Sequence, residues 1–370
     1  MSQSRSSLLV IVFVIFPAAV GTTNSQAGTP VALTRPAVQE FAKLPDGIRY
    51  PEGITADPET GNIYVGTFDA RTQESARRNE VLRYSPQGKL LARRRFHATP
   101  LTGLAFREGK LYILNFGAAK LQRLAANFDA STPIEDVATF QTLTPHAPSP
   151  RHVTNFDGSE DVVAFGSKGQ PAPNGMVFDR SGNLYVSDSF QGAVLRIADA
   201  THCVSCVIVP ISRDPLLATT GTPPFGANGL ALNEAETVLF ITNAGDGRLL
   251  KLPIAGGSVS VVAESLAGAD GLLFHGGLLW VAANQADSVV ALTEQGRIVV
   301  RAGEFDGIAS DGSPRGLLFP ASTVAQGNWM FVTNLALPLT PPAGDEWEED
   351  ITRWTISRFP LPALTTKELP

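Results

Sequence analysis

Cysteine is almost missing from the chain: only Cys203 and Cys206 occur in 370 residues, in "THCVSCVIVP". A zinc site would need more ligands than these two and the neighbouring His202. A redox CxxC normally opens a helix after a strand, whereas this one precedes a β-rich stretch. The pair therefore reads as a local disulfide staple or as two free thiols. Basic blocks are missing as well. The net charge is −6, which argues against nucleic acid or an anionic membrane as a partner. No apolar run is long enough to cross a bilayer comfortably. The longest candidate, "LLVIVFVIFPAAV" from Leu8 to Val20, has 13 residues and contains Pro17. Arg5 precedes it and small polar residues follow, which is the order of a secretory signal. Residues 1–27 are read as that signal, with cleavage after Ala27 or after Gly21 both acceptable. The alternative is an uncleaved anchor; either way the body is expected outside the cytoplasm, periplasmic or extracellular. No self-association pattern stands out, so a monomer acting on a small molecule is the default.

Gly and Pro, by contrast, number 34 and 27. With modest Lys and Glu, this favours many short strands and turns over helices. The strands repeat. Six stretches share one form, a variable residue, Gly, a large aliphatic, a strand, a turn and a second strand. They begin at Glu52 ("EGITADPETGNIYVGTFD"), Thr102, Asn174 ("NGMVFDRSGNLYVSDSF"), Asn228 ("NGLALNEAETVLFITNAG"), Asp270 and Arg315 ("RGLLFPASTVAQGNWMFVTNLA"). Each is followed by a third strand and a more variable fourth. The lead residues are spaced by 50, 72, 54, 42 and 45. Four short antiparallel strands at this period, repeated radially, make a β-propeller blade. The expected fold is all-β: one six-bladed β-propeller over residues 38–365, with four-stranded antiparallel blades. The strand in "VQEFAKLP", Val38 to Pro45, should close the ring as the outer strand of blade six, hiding the sheet edges. The long gap after Thr102 suggests an insertion at about 130–170 lying over one face. A Pro-rich interruption, "LPLTPPAGDEWEED", falls inside blade six.

The innermost strands line the tunnel of a propeller, so equivalent positions form a ring at its mouth. The expected ring is Glu52, Thr102, Asn174, Asn228, Asp270 and Arg315. It holds two carboxylates and two amides, with no imidazole and no thiol. Such a hard, all-oxygen set suits Ca²⁺, with Mg²⁺ or Mn²⁺ as next choices and Zn²⁺ disfavoured. Two carboxylates balance one divalent cation, and Asn supplies a neutral carbonyl oxygen. One Asn-Gly alone would read as a turn; a Glu, Asn, Asn, Asp set at one point of four repeats reads as metal ligands.

Glu52 in "YPEGI", Asn174 in "APNGM", Asn228 in "ANGLA" and Asp270 in "ADGLL" resemble, blade for blade, the ligands of the senescence-marker-protein, gluconolactonase and luciferin-regenerating-enzyme family. Paraoxonases and diisopropylfluorophosphatase share that architecture. The resemblance runs from about Gln39 to Pro362. It implies a six-bladed fold, one catalytic divalent ion, usually Ca²⁺, and hydrolysis of lactones or organophosphate-type esters. The chain departs from the pattern at three places. Aldonolactonases of the family carry Arg and Asp where this chain has Ala172 and Gly175, which argues against sugar-lactone recognition. Paraoxonases carry His where this chain has Thr102, so their dyad is not implied. Gly175 also removes an acid that paraoxonases use for a second calcium.

The working expectation is metal-assisted hydrolysis of a lactone or related ester. Asp270 is assigned as general base or nucleophile, ahead of Glu52. Thr102 leaves room for substrate, and Arg315 would orient a substrate carboxylate or hold developing charge, unless it is a rim residue or a partner of Asp311. A second ring, Asp69, Asn115, Asp188, Asn243, Asn284 and Asn334, is expected to bond the turns between blades, with Asp188 and Asn243 as pocket candidates. His146 or His152 would act only from a lid; His202 and His275 read as surface residues. The competing readings are a non-enzymatic propeller whose structural metal pins the blades, and a strictosidine-synthase-like bond former, which does not need the acid–amide set.

Overall fold

A computed structural model describes residues 33–144, 151–154, 157–163, 170–203, 206–340 and 343–363. The signal segment 1–27 and His146 lie outside the described residues. The local rules produce hairpins throughout. In "DPETGN" the Asp57 carboxylate accepts from Glu59 N at 2.9 Å and Gly61 takes φ +72°. In "DRSGN" Asp179 accepts from Asn183 N at 2.9 Å. An acidic side chain thus satisfies the turn's amides while two β-rich segments pair on either side.

Six four-stranded antiparallel sheets result. Blade one comprises Pro51–Ala56, Ile63–Thr67, Asn79–Tyr84 and Leu90–His97, and blade two Leu101–Arg107, Lys110–Asn115, Lys120–Ala125 and Glu135–Thr139. Blade three comprises Pro173–Phe178, Leu184–Asp188, Ala193–Ile197 and Ile208–Ser212, and blade four Ala227–Leu232, Val238–Asn243, Arg248–Pro253 and Ser260–Ala263. Blade five comprises Ala269–His275, Leu278–Ala283, Ser288–Leu292 and Ile298–Ala302. Blade six comprises Pro320–Gln326, Trp329–Asn334, Thr355–Pro360 and, as its outer strand, Gln39–Lys43. The N-terminal strand closes the ring as expected, pairing Gln39 with Arg358 and Lys43 with Thr355. The inner strands neighbour one another in sequence, and blade six returns to blade one.

The core sits between blades. Six apolar clusters fill the six junctions; Tyr64, Leu101, Ile113 and Phe128 lie between blades one and two, and Trp280, Val300, Met330 and Phe359 between five and six. The second strand of each blade has neighbours on both faces, so Leu278–Ala283 ("LLWVAA") is buried at every position. Such runs lose the alternation of a half-buried strand. Each large side chain so buried contributes about 1.5–3 kcal/mol. Outer strands are more exposed; Ile208–Ser212 and Ser260–Ala263 have no buried position.

Two expectations need correction. First, blade six does not begin at Arg315. Pro314–Gly316 pairs with Phe305–Ile308 in a separate two-stranded ribbon, and the inner strand is Pro320–Gln326. Its pairing starts Pro320↔Asn334 and resumes Thr323↔Val332 after a bulge, as Pro173↔Asp188 resumes at Met176↔Val186 in blade three. The sixth ring position is therefore Ala321, followed by Ser322. The Arg-Gly pair imitated the repeat, and in blade six Ser stands where the other blades have Gly. Second, the segment expected as an insertion from about residue 130 begins later, because Glu135–Thr139 is the outer strand of blade two. Beyond it a separate hairpin pairs Arg151–Thr154 with Glu160–Val163.

Candidate metal centre

Each inner strand is interrupted at the same point. The residue before the lead residue pairs with the end of the second strand, then two residues bulge before pairing resumes. The lead residues thereby gather at the mouth: Glu52, Thr102, Asn174, Asn228, Asp270 and Ala321. The glycine that follows is needed for close approach. A Cβ on Gly53 would sit 2.1 Å from the carbonyl oxygen of Thr102, one on Gly175 2.2 Å from that of Asn228, and one on Gly271 2.5 Å from that of Ala321. Each blade thus rests on the lead carbonyl of the next. Strand-two hydroxyls brace the same carbonyls: Thr333 donates to Glu52 O at 2.8 Å, and Thr242 to Asp270 O.

Glu52, Asn174, Asn228 and Asp270 are all buried and line one cavity of about 190 Å³ together with Thr102 and Asn284. Among the described residues Glu52 Oε2 has no hydrogen-bond partner. Burial, reinforced by the Asp270 charge, pushes the Glu52 carboxyl well above its ordinary range. Burial likewise pushes Asp270 up to about 7, against the opposing pull of hydrogen bonds from Asn284 and Asn228. Asn284 Nδ2 donates to Asp270 Oδ2 at 3.2 Å, while Asn284 Oδ1 has no partner. Asn174 Nδ2 donates to Ser189 Oγ at 3.1 Å, and Ser189 in turn donates to the blade-four carbonyl of Ala227 at 2.6 Å. That bond turns the carbonyl end of Asn174 away from Ser189.

Two buried carboxylates with no cationic side chain paired to them among the described residues are a costly arrangement unless a cation joins them. The donor set is all oxygen and carries two negative charges, which fits one hard divalent ion. The residues present therefore fit the group. No cluster of three or more His, Cys, Asp or Glu side chains is gathered among the described residues; the two amides replace further charge.

The other candidates fall into place around this centre. Thr102 lines the cavity, but its hydroxyl is committed to Pro173 O at 2.8 Å. Arg315 does not reach it. Arg315 borders a separate surface cleft with Lys43 and Asp311, and Asp311 is paired with Lys43. Asp188 and Asn243 also lie outside it. Asp188 accepts from Ala172 N and from Gln191, and Asn243 donates to Leu216 O and Ala218 O. Both bond turns, as does Asn115, while Asn334 accepts from Leu318 N at 3.2 Å and donates to Thr355 Oγ1 at 2.8 Å. His152 pairs with Glu160 across its hairpin at 3.2 Å, exposed His202 with Asp199 at 2.7 Å, and His275 ends the blade-five inner strand. Cys203 and Cys206 form a disulfide.

The sequence pattern groups Asn284 with the turn-bonding residues, yet it enters the cavity. The register explains why. Strand two of blade five ends in the pair Ala269↔Ala283, so Ala283 occupies the slot of Asp188 and Asn243, and Asn284 lies one residue further on. That one-residue offset was the only signal in the sequence. Arg71 also borders the cavity; its guanidinium is taken by the main-chain oxygens of Pro338 and Thr340.

No protein-family model and no curated protein matches the chain. Among solved structures it is similar to a luciferin-regenerating enzyme, with 15% identity over 88% of this chain and 95% of that one, TM-score 0.56. It is similar to regucalcin, a calcium-binding protein from Agrobacterium tumefaciens, with 12% identity, 90% and 100% coverage and TM-score 0.56. A gluconolactonase from Xanthomonas campestris gives 13% identity, 90% and 99% coverage and TM-score 0.51. The relatives suggested by the blade-by-blade motif are thus among the structural neighbours. At these identities the likeness is one of fold, a six-bladed propeller.

Proposed function

We propose that the protein is a divalent-cation-dependent hydrolase of a lactone or related ester, with Ca²⁺ as the preferred ion. One observation carries this reading: Glu52 and Asp270 share a buried, concave centre with two amides, and Glu52 Oε2 is left without a partner. The neighbouring gluconolactonase and calcium-binding regucalcin folds support it. A cation held by Glu52, Asn174, Asn228 and Asp270 would supply Lewis-acid polarisation of the scissile carbonyl. Asp270 would take the proton of the attacking water, or attack the carbonyl itself. It is the better candidate because the Asn284 and Asn228 amides donate to it and orient it. Glu52 has no such orienting donor. Thr102, its hydroxyl turned aside, keeps a small wall where substrate enters. The apolar walls of the cavity exclude bulk water from the reacting centre.

The test is hydrolysis of a panel of lactones and aryl esters by chelator-treated protein, with Ca²⁺, Mg²⁺, Mn²⁺ or Zn²⁺ restored in turn. Activity that returns with one ion supports the hydrolase. Tight ion binding without turnover across the panel would favour a binding propeller with a structural ion. Export is part of the same proposal, and the Cys203–Cys206 disulfide fits an oxidising compartment. Mass determination of the N-terminus after secretion checks it; a full-length, cytoplasmic product would contradict it.

A further inference from the structure

The cavity above the acid–amide ring has an unusual division of labour. Beyond the ring, its walls are Phe68, Phe225, Phe319, Leu335, Leu337 and Leu339, with three prolines. These come from separate places: the end of strand two in blade one, the loop before blade four, the residue before the blade-six inner strand, and the interruption inside blade six. A phenylalanine network holds the near wall rigid. Phe68 and Phe225 have centroids 6.5 Å apart, and Phe116 and Phe190 buttress them at 5.3 Å each. Phe68, Phe116 and Phe190 each follow strand two of their blade, so the propeller repeat itself builds this wall.

The polar groups that could meet a hydroxyl-rich ligand are already committed. Thr102 donates to Pro173 O, Asn174 to Ser189, Asn284 to Asp270, and Arg71 to Pro338 O and Thr340 O. Arg315, the cation expected to receive a substrate carboxylate, lines another cleft. Among the buried atoms of the described lining residues, what remains uncommitted is acceptor oxygen, in Glu52 Oε2 and Asn284 Oδ1, and a bound cation would consume the first. A ligand carrying many hydroxyls would bury them against carbon, at a cost on the order of tenfold or more in affinity for each. The one cation among the described lining residues, Arg71, is turned to the main-chain oxygens of Pro338 and Thr340, so a carboxylate would have to compete with those bonds for it. An alkyl or aryl group would meet matching walls. A dry cavity of ~150 Å³ accepts a benzene ring, so about 190 Å³ suits one aryl ring or a short alkyl chain.

We propose that this cavity receives the uncharged alkyl or aryl portion of a lactone or ester and rejects polyhydroxylated lactones. Turnover of such a substrate rests on the hydrolase reading above; affinity for the apolar group does not. The two can therefore be separated. Calorimetric titration of the Ca²⁺-loaded protein with non-hydrolysable δ-lactams bearing hydrogen, propyl, pentyl or phenyl groups, and with gluconolactam, measures affinity alone. Hydrolysis of the matching lactones measures turnover. The proposal expects affinity to rise about fourfold per methylene until the cavity is full, with gluconolactam the weakest ligand. Leu337→Ala and Phe225→Ala should each flatten that dependence while Ca²⁺ affinity is retained. A flat series, no binding of any lactam, or gluconolactam binding most tightly would overturn it. A rising lactam series with no lactone hydrolysis would sink the hydrolase and leave the apolar ligand class standing. Hydrolysis indifferent to chain length would do the reverse.

Discussion

Blades five and six have the same backbone and opposite chemistry. Their inner strands begin with the pairs Ala269↔Ala283 and Pro320↔Asn334 and bulge at the same point. The next residue is Asp270 in one and Ala321 in the other. Blade five sends Asp270 and Asn284 into the cavity; blade six contributes a methyl group to the ring and sends Leu335, Leu337 and Leu339 over it. The repeat therefore supplies six equivalent slots, while individual residues decide which slots carry oxygen. Carboxylates and amides occupy the lead slots of blades one, three, four and five, and the slots of Thr102 and Ala321 carry neither. The two slots without a carboxylate or amide lie on either side of Glu52, since the inner strand of blade one packs against those of blades two and six.

The strongest way to break the comparison is to make blade five resemble blade six. Asp270→Asn keeps the side-chain shape and removes the acid. Hydrolysis is expected to fall on the order of 10³-fold, and cation-induced stabilisation should largely vanish. The fold should survive, because the change also removes one of two buried like charges. Circular dichroism alongside kinetics checks both; full activity in the mutant would end the case for Asp270.

Cation removal acts on the same contrast. At a hundred times its dissociation constant, an ion bound only by the folded chain adds about 2.7 kcal/mol, visible as a concentration-dependent Tm. Without the ion, Glu52 and Asp270 hold protons more tightly in the folded chain than in the unfolded one. Their contribution is fully favourable below the ordinary carboxylate range and is lost as pH rises through about 7, where Asp270 ionises. In chelator the Tm should fall between pH 5 and 8; with Ca²⁺ in excess that decline should flatten. Scanning calorimetry at both conditions would show it, and parallel curves would argue that these carboxylates do not hold the ion.

A third change addresses the slot after the lead residue. Gly175→Ala places a methyl group 2.2 Å from Asn228 O and 2.9 Å from Gly229 Cα, both backbone atoms that cannot step aside. Such overpacking costs about 1–3 kcal/mol. Ser322 already carries a side chain in the corresponding place, so Ser322→Gly should cost under about 1 kcal/mol. Chemical denaturation of the two variants compares them, and equal costs would mean that the close approach does not govern the slot.

Much of this was legible because a propeller writes its symmetry into the chain. Six similar stretches, the position of Gly after each lead residue, and an N-terminal strand without a local partner were enough to place blades and closure. Glu52, Asn174, Asn228 and Asp270 followed from their equivalent positions. What escaped were departures from periodicity. Asn284 differs from its apparent equivalents by one residue of register. Glu135–Thr139 hid inside a long gap because a two-faced outer strand has a weak pattern, "EDVAT". The apolar roof came from segments distant in sequence, which no local periodicity brings together.

Blade six misled most, and it offers the smallest predicted effect. "RGLLF" imitates the lead-Gly-aliphatic form, yet Arg315 is exposed and sits on a ribbon that pairs with Phe305–Ile308. Gly316 there takes φ +77°, a turn conformation foreign to the glycines of the ring. If the ring is completed by Ala321, Arg315→Ala removes only a surface charge. Stability should change by less than about 0.5 kcal/mol, and kcat/KM for neutral substrates should stay within about twofold, since no charge near the reacting centre is lost. Were Arg315 at the mouth, its loss would weaken binding of anionic substrates selectively. Measuring kcat/KM of the mutant on one neutral and one carboxylate-bearing lactone therefore decides between the two registers: equal ratios place the sixth position at Ala321, and a selective loss on the anion returns it to Arg315.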